Sequence, residues 1–169
     1  PYSGSMDVDP SAVTQLVTSN GDYDFLVQKY TTNGVLTSTR SFGGTGGDLT
    51  TGIEIDSNND LILCGNYNQT LDFNSPFGNA IHTSNGNTDA FLLKLNNSLD
   101  FEWVRTFGGT NYDGTIDLTY DNNNDYYLTG SFASLVNFDE GFSDLTLNTN
   151  GVADIYLSKY LSDGTQVFT

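Results

Sequence analysis

The residues best suited to bind a metal ion lie in two Asp- and Asn-rich runs, 56–60 and 121–125. Each run has the order Asp-x-Asn-x-Asp, which resembles the opening of a calcium-binding loop. A full loop of that kind has Gly at its sixth position and Glu at its twelfth. Apolar or aromatic residues hold these positions here: Leu61 and Tyr126, then Tyr67 and Phe132. The pattern therefore favours tight turns in which Asp and Asn side chains accept bonds from nearby amides, and we predict no metal site.

Candidates for nucleophilic or acid–base chemistry are few. His82 is the single histidine, and without a second His, a paired Cys or a nearby Ser motif it is a poor metal ligand or triad member. Cys64 is the single cysteine and is best explained as a small buried strand residue. A carboxylate pair for glycoside chemistry stays open, because acidic residues are plentiful. Among the acids that do not recur along the chain, the candidates are Glu54, Glu102, Asp117, Glu140 and Asp144. We predict no catalytic residue and no cofactor.

An internal repeat of 65 residues runs through the chain without insertion or deletion. Asp24 falls on Asp89 and then on Asp154, and the Phe-Gly-Gly-Thr run at 42–45 falls on the same run at 107–110. Such a fixed period is typical of folds built from stacked identical units. A residue that recurs in every copy is therefore best explained by a structural role.

All five cations occupy two positions of this repeat: Lys29, Lys94 and Lys159, then Arg40 and Arg105. One interpretation is an anion site. We favour the other, in which each cation pairs between sheets with a repeated carboxylate such as Asp24, Asp89 or Asp154. No Lys or Arg then remains for phosphate, and 21 acidic residues give a net charge of −16, so we predict no nucleic-acid partner. The sequence also has no apolar run of roughly 18 residues, so no membrane insertion is expected.

Each repeat contains two predicted hairpins. Residues 53–55 and 61–63 alternate in polarity around a turn at 57–59, which indicates strand, tight turn and strand. Residues 89–95 and 101–107 form the second hairpin, with apolar residues on both faces. A strand that is apolar on both faces lies between two layers. The content of 11 Phe and 10 Tyr, with abundant Gly, Asn and Asp, also suits short strands and turns.

Four strands per repeat, with neighbours burying both faces, predict an all-β fold of β-propeller blades in four-stranded antiparallel units. A solenoid is the main alternative, but its repeats are usually shorter. Between the hairpins lies an excursion, residues 66–84 and 131–149, which is the least similar part of the repeat. Variable loops on a fixed scaffold are where binding residues usually lie.

The chain divides into one partial and two fuller blades of a single propeller domain. Residues 1–49 are the C-terminal part of one blade, with a hairpin at about 22–42, residues 50–114 a complete blade, and residues 115–169 a complete or nearly complete one. Propellers close with about 4 to 8 blades, so the ring is incomplete in this chain. We expect other blades of a longer chain, or other copies, to complete it.

Three runs carry a family resemblance: Asp-Ala-Phe-Leu-Leu-Lys at 89–94, Trp-Val-Arg-Thr-Phe-Gly-Gly at 103–109, and the hairpin at 121–130. They resemble the SBBP-type bacterial β-propeller repeat over nearly the whole chain. The resemblance implies a secreted or cell-surface, extracellular protein, similar to adhesins or type IX secretion cargo of Bacteroidetes. The chain departs from it at Ser38, whose mates are Trp103 and Phe168, so that blade edge is expected to pack differently.

The favoured function is a non-enzymatic structural or interaction module that binds protein or glycan. One alternative is a multivalent lectin closed by oligomerisation, and another is the scaffold of a polysaccharide hydrolase or lyase whose active site lies elsewhere. The candidate ligand contacts are residues of the excursions: Tyr67, Phe77, His82, Phe132 and Phe142. Blade packing is the competing explanation of the aromatic ones and is favoured, since large aromatics mostly lie in cores.

Overall fold

The computed structural model describes residues 1–138 and 145–169, and every regular element in them is a β-strand. In chain order the strands are β1 (Ser5–Asp7), β2 (Leu16–Thr18), β3 (Phe25–Tyr30), β4 (Leu36–Phe42), β5 (Leu49–Ile55), β6 (Leu61–Tyr67), β7 (Thr70–Asp72), β8 (Ile81–Thr83), β9 (Asp89–Leu95), β10 (Phe101–Phe107), β11 (Gly114–Tyr120), β12 (Tyr126–Phe132), β13 (Leu135–Asn137), β14 (Thr146–Asn148), β15 (Asp154–Tyr160) and β16 (Gln166–Phe168).

Three successive sheets follow the repeat. The first sheet has two strands, β3 and β4; the middle sheet has four, in the order β10-β9-β6-β5; the last sheet has four, in the order β11-β12-β15-β16. All pairs within them are antiparallel. The two predicted hairpins are thus confirmed, and the two four-stranded sheets resemble blades. The described strands do not form a closed ring.

A third, smaller hairpin lies in each excursion and at the corresponding positions near residue 1, where the sequence predicted no strand. It consists of β1 and β2, β7 and β8, or β13 and β14, each strand being three residues long. Thr70 and Thr83 face each other across one of them, with their hydroxyls 2.8 Å apart. Ser5 and Thr18 occupy the same positions 65 residues earlier, with their hydroxyls 2.7 Å apart. The repeat therefore extends through the excursion.

Two apolar clusters hold the sheets together. Every residue of β6 and β9 is buried, so the middle sheet is covered on both faces, as its composition predicts. One face packs on the first sheet through residues such as Leu63, Phe91, Phe25 and Phe42. The other packs on the last sheet through residues such as Ile62, Leu92, Leu128 and Tyr156. Each fully buried side chain of this size contributes about 1.5–3 kcal/mol, so the interfaces between sheets dominate the stability.

Candidate functional site

The two Asp-x-Asn-x-Asp runs form the turns that join β5 to β6 and β11 to β12. One carboxylate oxygen of Asp56 accepts the backbone amides of Asn58 at 2.9 Å and Asp60 at 3.0 Å. Asp121 accepts the two corresponding bonds at 2.8 and 3.1 Å. Both runs therefore form side-chain-stabilised turns.

Lys94 binds the carboxylates of the first turn and a carboxylate of β10. Its ammonium lies 3.1 Å from Asp60, 3.3 Å from Glu102 and 3.8 Å from Asp56, and its side chain is only 7% exposed. Burial by itself lowers the pKa of Lys94, but the hydrogen bond to Asp60 and the nearby Tyr126 and Glu102 raise it above its usual value. Lys94 is therefore charged and fixed between carboxylates.

The prediction that Lys94 pairs with a repeated carboxylate is confirmed by Asp56 and Asp60, but the example of Asp89 is wrong, because Lys94 and Asp89 are not close. The two residues lie near opposite ends of the same extended strand, five residues and roughly 17 Å apart at about 3.3 Å per residue. The antiparallel register instead sets Lys94 opposite Ile62, at the end of the sheet where the turn lies. Lys159 repeats the arrangement, with Asp125 at 2.9 Å.

The two arginines bind carbonyl groups of the following sheet. Arg40 in β4 donates to the carbonyl of Leu99, and to the side-chain oxygen of Asn74 at 2.8 Å. Arg105 in β10 donates from Nε to the carbonyl of Gly164 at 2.7 Å. The repeated arginines thus tie the outer strand of one sheet to the next sheet.

The repeated Asp24, with its mates, closes the loop that precedes its strand. Its Oδ2 accepts the backbone amide of Asn20 at 2.9 Å, and Asp89 accepts that of Asn85 at 2.9 Å. The carboxylate of Asp24 lies against the backbone of Gly43, where an added Cβ would lie 1.9 Å from Cγ. This contact explains the first glycine of the repeated Phe-Gly-Gly-Thr run.

Asp48 is a fully buried carboxyl group whose pKa is raised. Burial raises the pKa of Asp48 to about 6, although its oxygens accept the backbone amides of Gly44 at 2.7 Å and Asn68 at 3.3 Å. A pKa near neutrality is also typical of catalytic acids. Asp113, its repeat mate, is buried in the same contacts and its pKa is raised too, so we assign both to the scaffold.

Cys64 and His82 lie in separate surroundings. Cys64 is buried in β6, and burial raises the pKa of its thiol, which disfavours the reactive thiolate. His82 Nδ1 lies 2.9 Å from the hydroxyl of Thr106, beside a cavity of about 90 Å³ between the middle and last sheets. Of the acids that do not recur, Glu102 pairs with Lys94.

The aromatic candidates divide by exposure. Tyr67 and Phe132 are buried in the two apolar clusters, so their rings contribute to packing. Phe77 is 77% exposed and lines an open cleft of about 340 Å³ together with Arg40. Phe142 lies outside the described residues, as do two of the acids, Glu140 and Asp144. Sequence reasoning missed the polar residues around Phe77, because they come from three separate segments.

Comparison with known proteins adds no assignment. The chain matches none of the protein-family models against which it was scanned, and a search of curated proteins finds no match either. In the part of the chain that the structure describes, no three His, Cys, Asp or Glu side chains are grouped so as to hold a metal ion. No helix in residues 1–138 and 145–169 has the length and apolar character to span a membrane.

Proposed function

We propose that this chain is a set of β-propeller blades without a catalytic role, which presents a binding surface for protein or glycan on the outside of a bacterial cell. The observation that carries the proposal is the use of the repeated polar residues. The carboxylates of Asp24, Asp48 and Asp56, and their mates, hold backbone amides, while the cations bind turns or the next sheet. A scaffold whose charged groups are engaged in this way suits recognition through its loops.

Exposure at the far end of the stack supports further blades. Ile155 and Leu157 in β15 are 84% and 53% exposed. Their repeat mates in β9, Ala90 and Leu92, are fully buried beneath the last sheet. The open face of the last sheet is thus suited to a further sheet of the same kind.

The near end of the stack is open because the first sheet has only two strands. Ile53 in β5 is 55% exposed, whereas its mate Leu118 in β11 is 5% exposed because it packs on the middle sheet. Two inner strands added to the first sheet would cover Ile53. The blades that cover these two faces belong either to a longer chain or to other copies.

The extracellular location rests on the resemblance of the motifs to the SBBP-type repeat. The charge of −16 is compatible with it, since a strongly acidic surface resists non-specific association. Surface labelling of intact source cells tests the location, and a signal seen only after lysis contradicts it.

Binding and turnover assays test the functional proposal directly. We expect the chain to bind members of a glycan array or of a panel of purified extracellular proteins, and to release no product from a polysaccharide panel. Product release would overturn the proposal and favour an enzyme. The absence of binding on both panels would also overturn it, without favouring an enzyme. Light scattering of the intact protein then separates the two modes of closure: a chain near 18.4 kDa that forms a defined oligomer favours the multivalent lectin.

A further inference from the structure

An open cleft of about 340 Å³ lies at the outer edge of the contact between the first and middle sheets. Its walls come from three segments: β4, the loop between β7 and β8, and the turn between β9 and β10. Sites for small ligands have volumes of about 300–1,000 Å³, so the cleft is at the lower end of that range.

The next contact along the stack shows why the cleft is open here. There, Trp103 packs on Gly164 and donates from its indole nitrogen to the carbonyl of Ser162 at 3.3 Å. The residue at the position of Trp103 in the first contact is Ser38, and the residue at the position of Gly164 is Leu99, which is buried in the core. The edge that an indole covers in one contact is therefore left to small polar side chains in the other.

Phe77 provides an apolar platform in this cleft. It is 77% exposed, an unfavourable state for a phenyl ring in water. The ring is carried by a tight turn in which the amide of Phe77 donates to the carbonyl of Asn74 at 2.8 Å. Asn74 also accepts a hydrogen bond from Arg40, so the platform and the cleft wall are connected.

The other residues of the cleft wall provide hydrogen-bond donors and acceptors, and they include one positively and one negatively charged side chain. Arg40 is held by Asn74 and by the carbonyl of Leu99, and Asp100 is held by the side-chain amide of Asn96 at 3.2 Å. Ser38 and Ser98 line the same cleft. One guanidinium, one carboxylate and hydroxyl groups are together close to neutral. They suit a neutral ligand rich in hydroxyl groups better than an ion.

We infer that this cleft is a binding site for one or two rings of a neutral glycan. The apolar face of a pyranose ring stacks on Phe77, while its hydroxyls exchange hydrogen bonds with Arg40, Asp100 and the two serines. The ligand is neutral, since the net charge of −16 would repel an acidic polysaccharide. This inference rests on the proposed binding function and names the ligand class and the place.

Saturation-transfer NMR with the methyl glycosides of glucose, galactose, mannose and N-acetylglucosamine tests it. We expect at least one glycoside to bind, Phe77→Ala to weaken that binding at least tenfold, and Phe77→Tyr to retain it. Phe168→Ala is the matched control, because Phe168 is also an exposed phenylalanine but lies in β16, outside the cleft. Both substitutions remove an exposed ring and should leave folding intact.

N-acetyltryptophanamide, which represents a protein side chain, is tested beside the glycosides. Three outcomes would overturn the inference: no glycoside binds, Phe77→Ala binds a glycoside as tightly as the wild type, or only N-acetyltryptophanamide binds in a manner that depends on Phe77. The last would make the cleft a site for a protein side chain. In all three cases a positive result on the array or protein panel leaves the broader interaction function standing. A different result would separate the two proposals the other way. If polysaccharide products are released and glycoside binding depends on Phe77, the cleft is a glycan site but the proposed non-catalytic function is wrong.

Discussion

In every repeat, carboxylates that accept hydrogen bonds from backbone amides fix the conformation of the loops. The residues packed against these carboxylates have little space for a larger side chain. Asp24 occupies the space that a side chain at position 43 would need, and Asp48 binds the amide of Gly44. The glycines of the Phe-Gly-Gly-Thr run are thus fixed by close contact with neighbouring groups. Gly43 and Gly44 both lack space for a Cβ, the latter because of the carbonyl oxygen of Thr70 at 1.9 Å.

We predict that Gly43→Ala lowers the free energy of unfolding by about 1–3 kcal/mol, since overpacking a well-packed site typically costs that much. The added Cβ would lie 1.9 Å from Cγ of Asp24, which is fully buried. Gly47→Ala is the control, because nothing lies within 4 Å of an added Cβ there. Urea unfolding followed by circular dichroism measures both variants. Equal losses in the two would show that the close contact is not the cause.

The raised pKa of Asp48 predicts that the stability of the protein falls as the pH rises. Its pKa is about 6 in the folded protein against 3.8 ordinarily, so between these values the folded state binds more protons than the unfolded state. The contribution of Asp48 to the free energy of unfolding therefore falls as the pH rises through that window, by an amount on the order of 2–3 kcal/mol. We expect Asp48→Asn to flatten the decline between pH 4 and 6, because an amide does not titrate there.

The exposed Asp22 provides the control for this measurement. Asp22→Asn also removes one negative charge from the chain, but from the surface. Thermal unfolding across the pH range should keep the wild-type slope in Asp22→Asn and lose part of it in Asp48→Asn. Identical slopes in all three proteins would exclude Asp48 as the titrating group.

At the scale of strands and sheets, the contact between the first and middle sheets and the contact between the middle and last sheets are packed by residues of different size at equivalent positions. One contact pairs Trp103 with Gly164, whose φ is 82°, and the other pairs Ser38 with Leu99, whose φ is 68°. A left-handed backbone disfavours leucine, but Leu99 is buried in the core, and that burial offsets the strain. Large and small residues have thus exchanged places between the two contacts.

This exchange predicts coupling between positions 38 and 99. Ser38→Trp alone should lower the free energy of unfolding by about 1–3 kcal/mol, because the indole meets a Cβ at Leu99. A Cβ at Gly164 would lie 2.9 Å from the ring of Trp103. The double variant Ser38→Trp/Leu99→Gly should be more stable than the sum of its single changes by about 0.5–3 kcal/mol. A double-mutant cycle in urea measures this, and additive effects would contradict the proposed exchange.

The fixed spacing of the repeat was sufficient to predict the strands, the turns and the two-sided burial of β9. It was not sufficient to predict the partners of Lys94, since Asp89 and Asp60 both recur. The two can be distinguished only by knowing that Lys94 lies at the end of β9 next to the turn that contains Asp60. The small hairpins were missed because strands of three residues show too little alternation. The cleft at Phe77 was missed for a different reason: its polar walls are far apart in sequence, and no local pattern connects them.

At the scale of the whole molecule, the stack has an open apolar face at each end and a large negative charge. The face at β15 resembles the face of β9 that the last sheet covers, so a sheet of a second copy could cover it in a head-to-tail contact. The charge of −16 opposes such contact, and salt screens that repulsion. Association should therefore increase with both protein concentration and ionic strength.

We predict that Ile155→Asp reduces this association, because it places a charge on the open face of the last sheet. Light scattering should give the wild type an average mass above 18.4 kDa at high concentration and in salt, and should give Ile155→Asp a mass close to that of one chain. Ile81→Asp is the matched control, since Ile81 is also an exposed isoleucine but lies in the small hairpin strand β8. It should associate as the wild type does. If all three proteins have the mass of one chain under every condition, the face at β15 does not bind another copy, and a further blade of a longer chain is the remaining occupant.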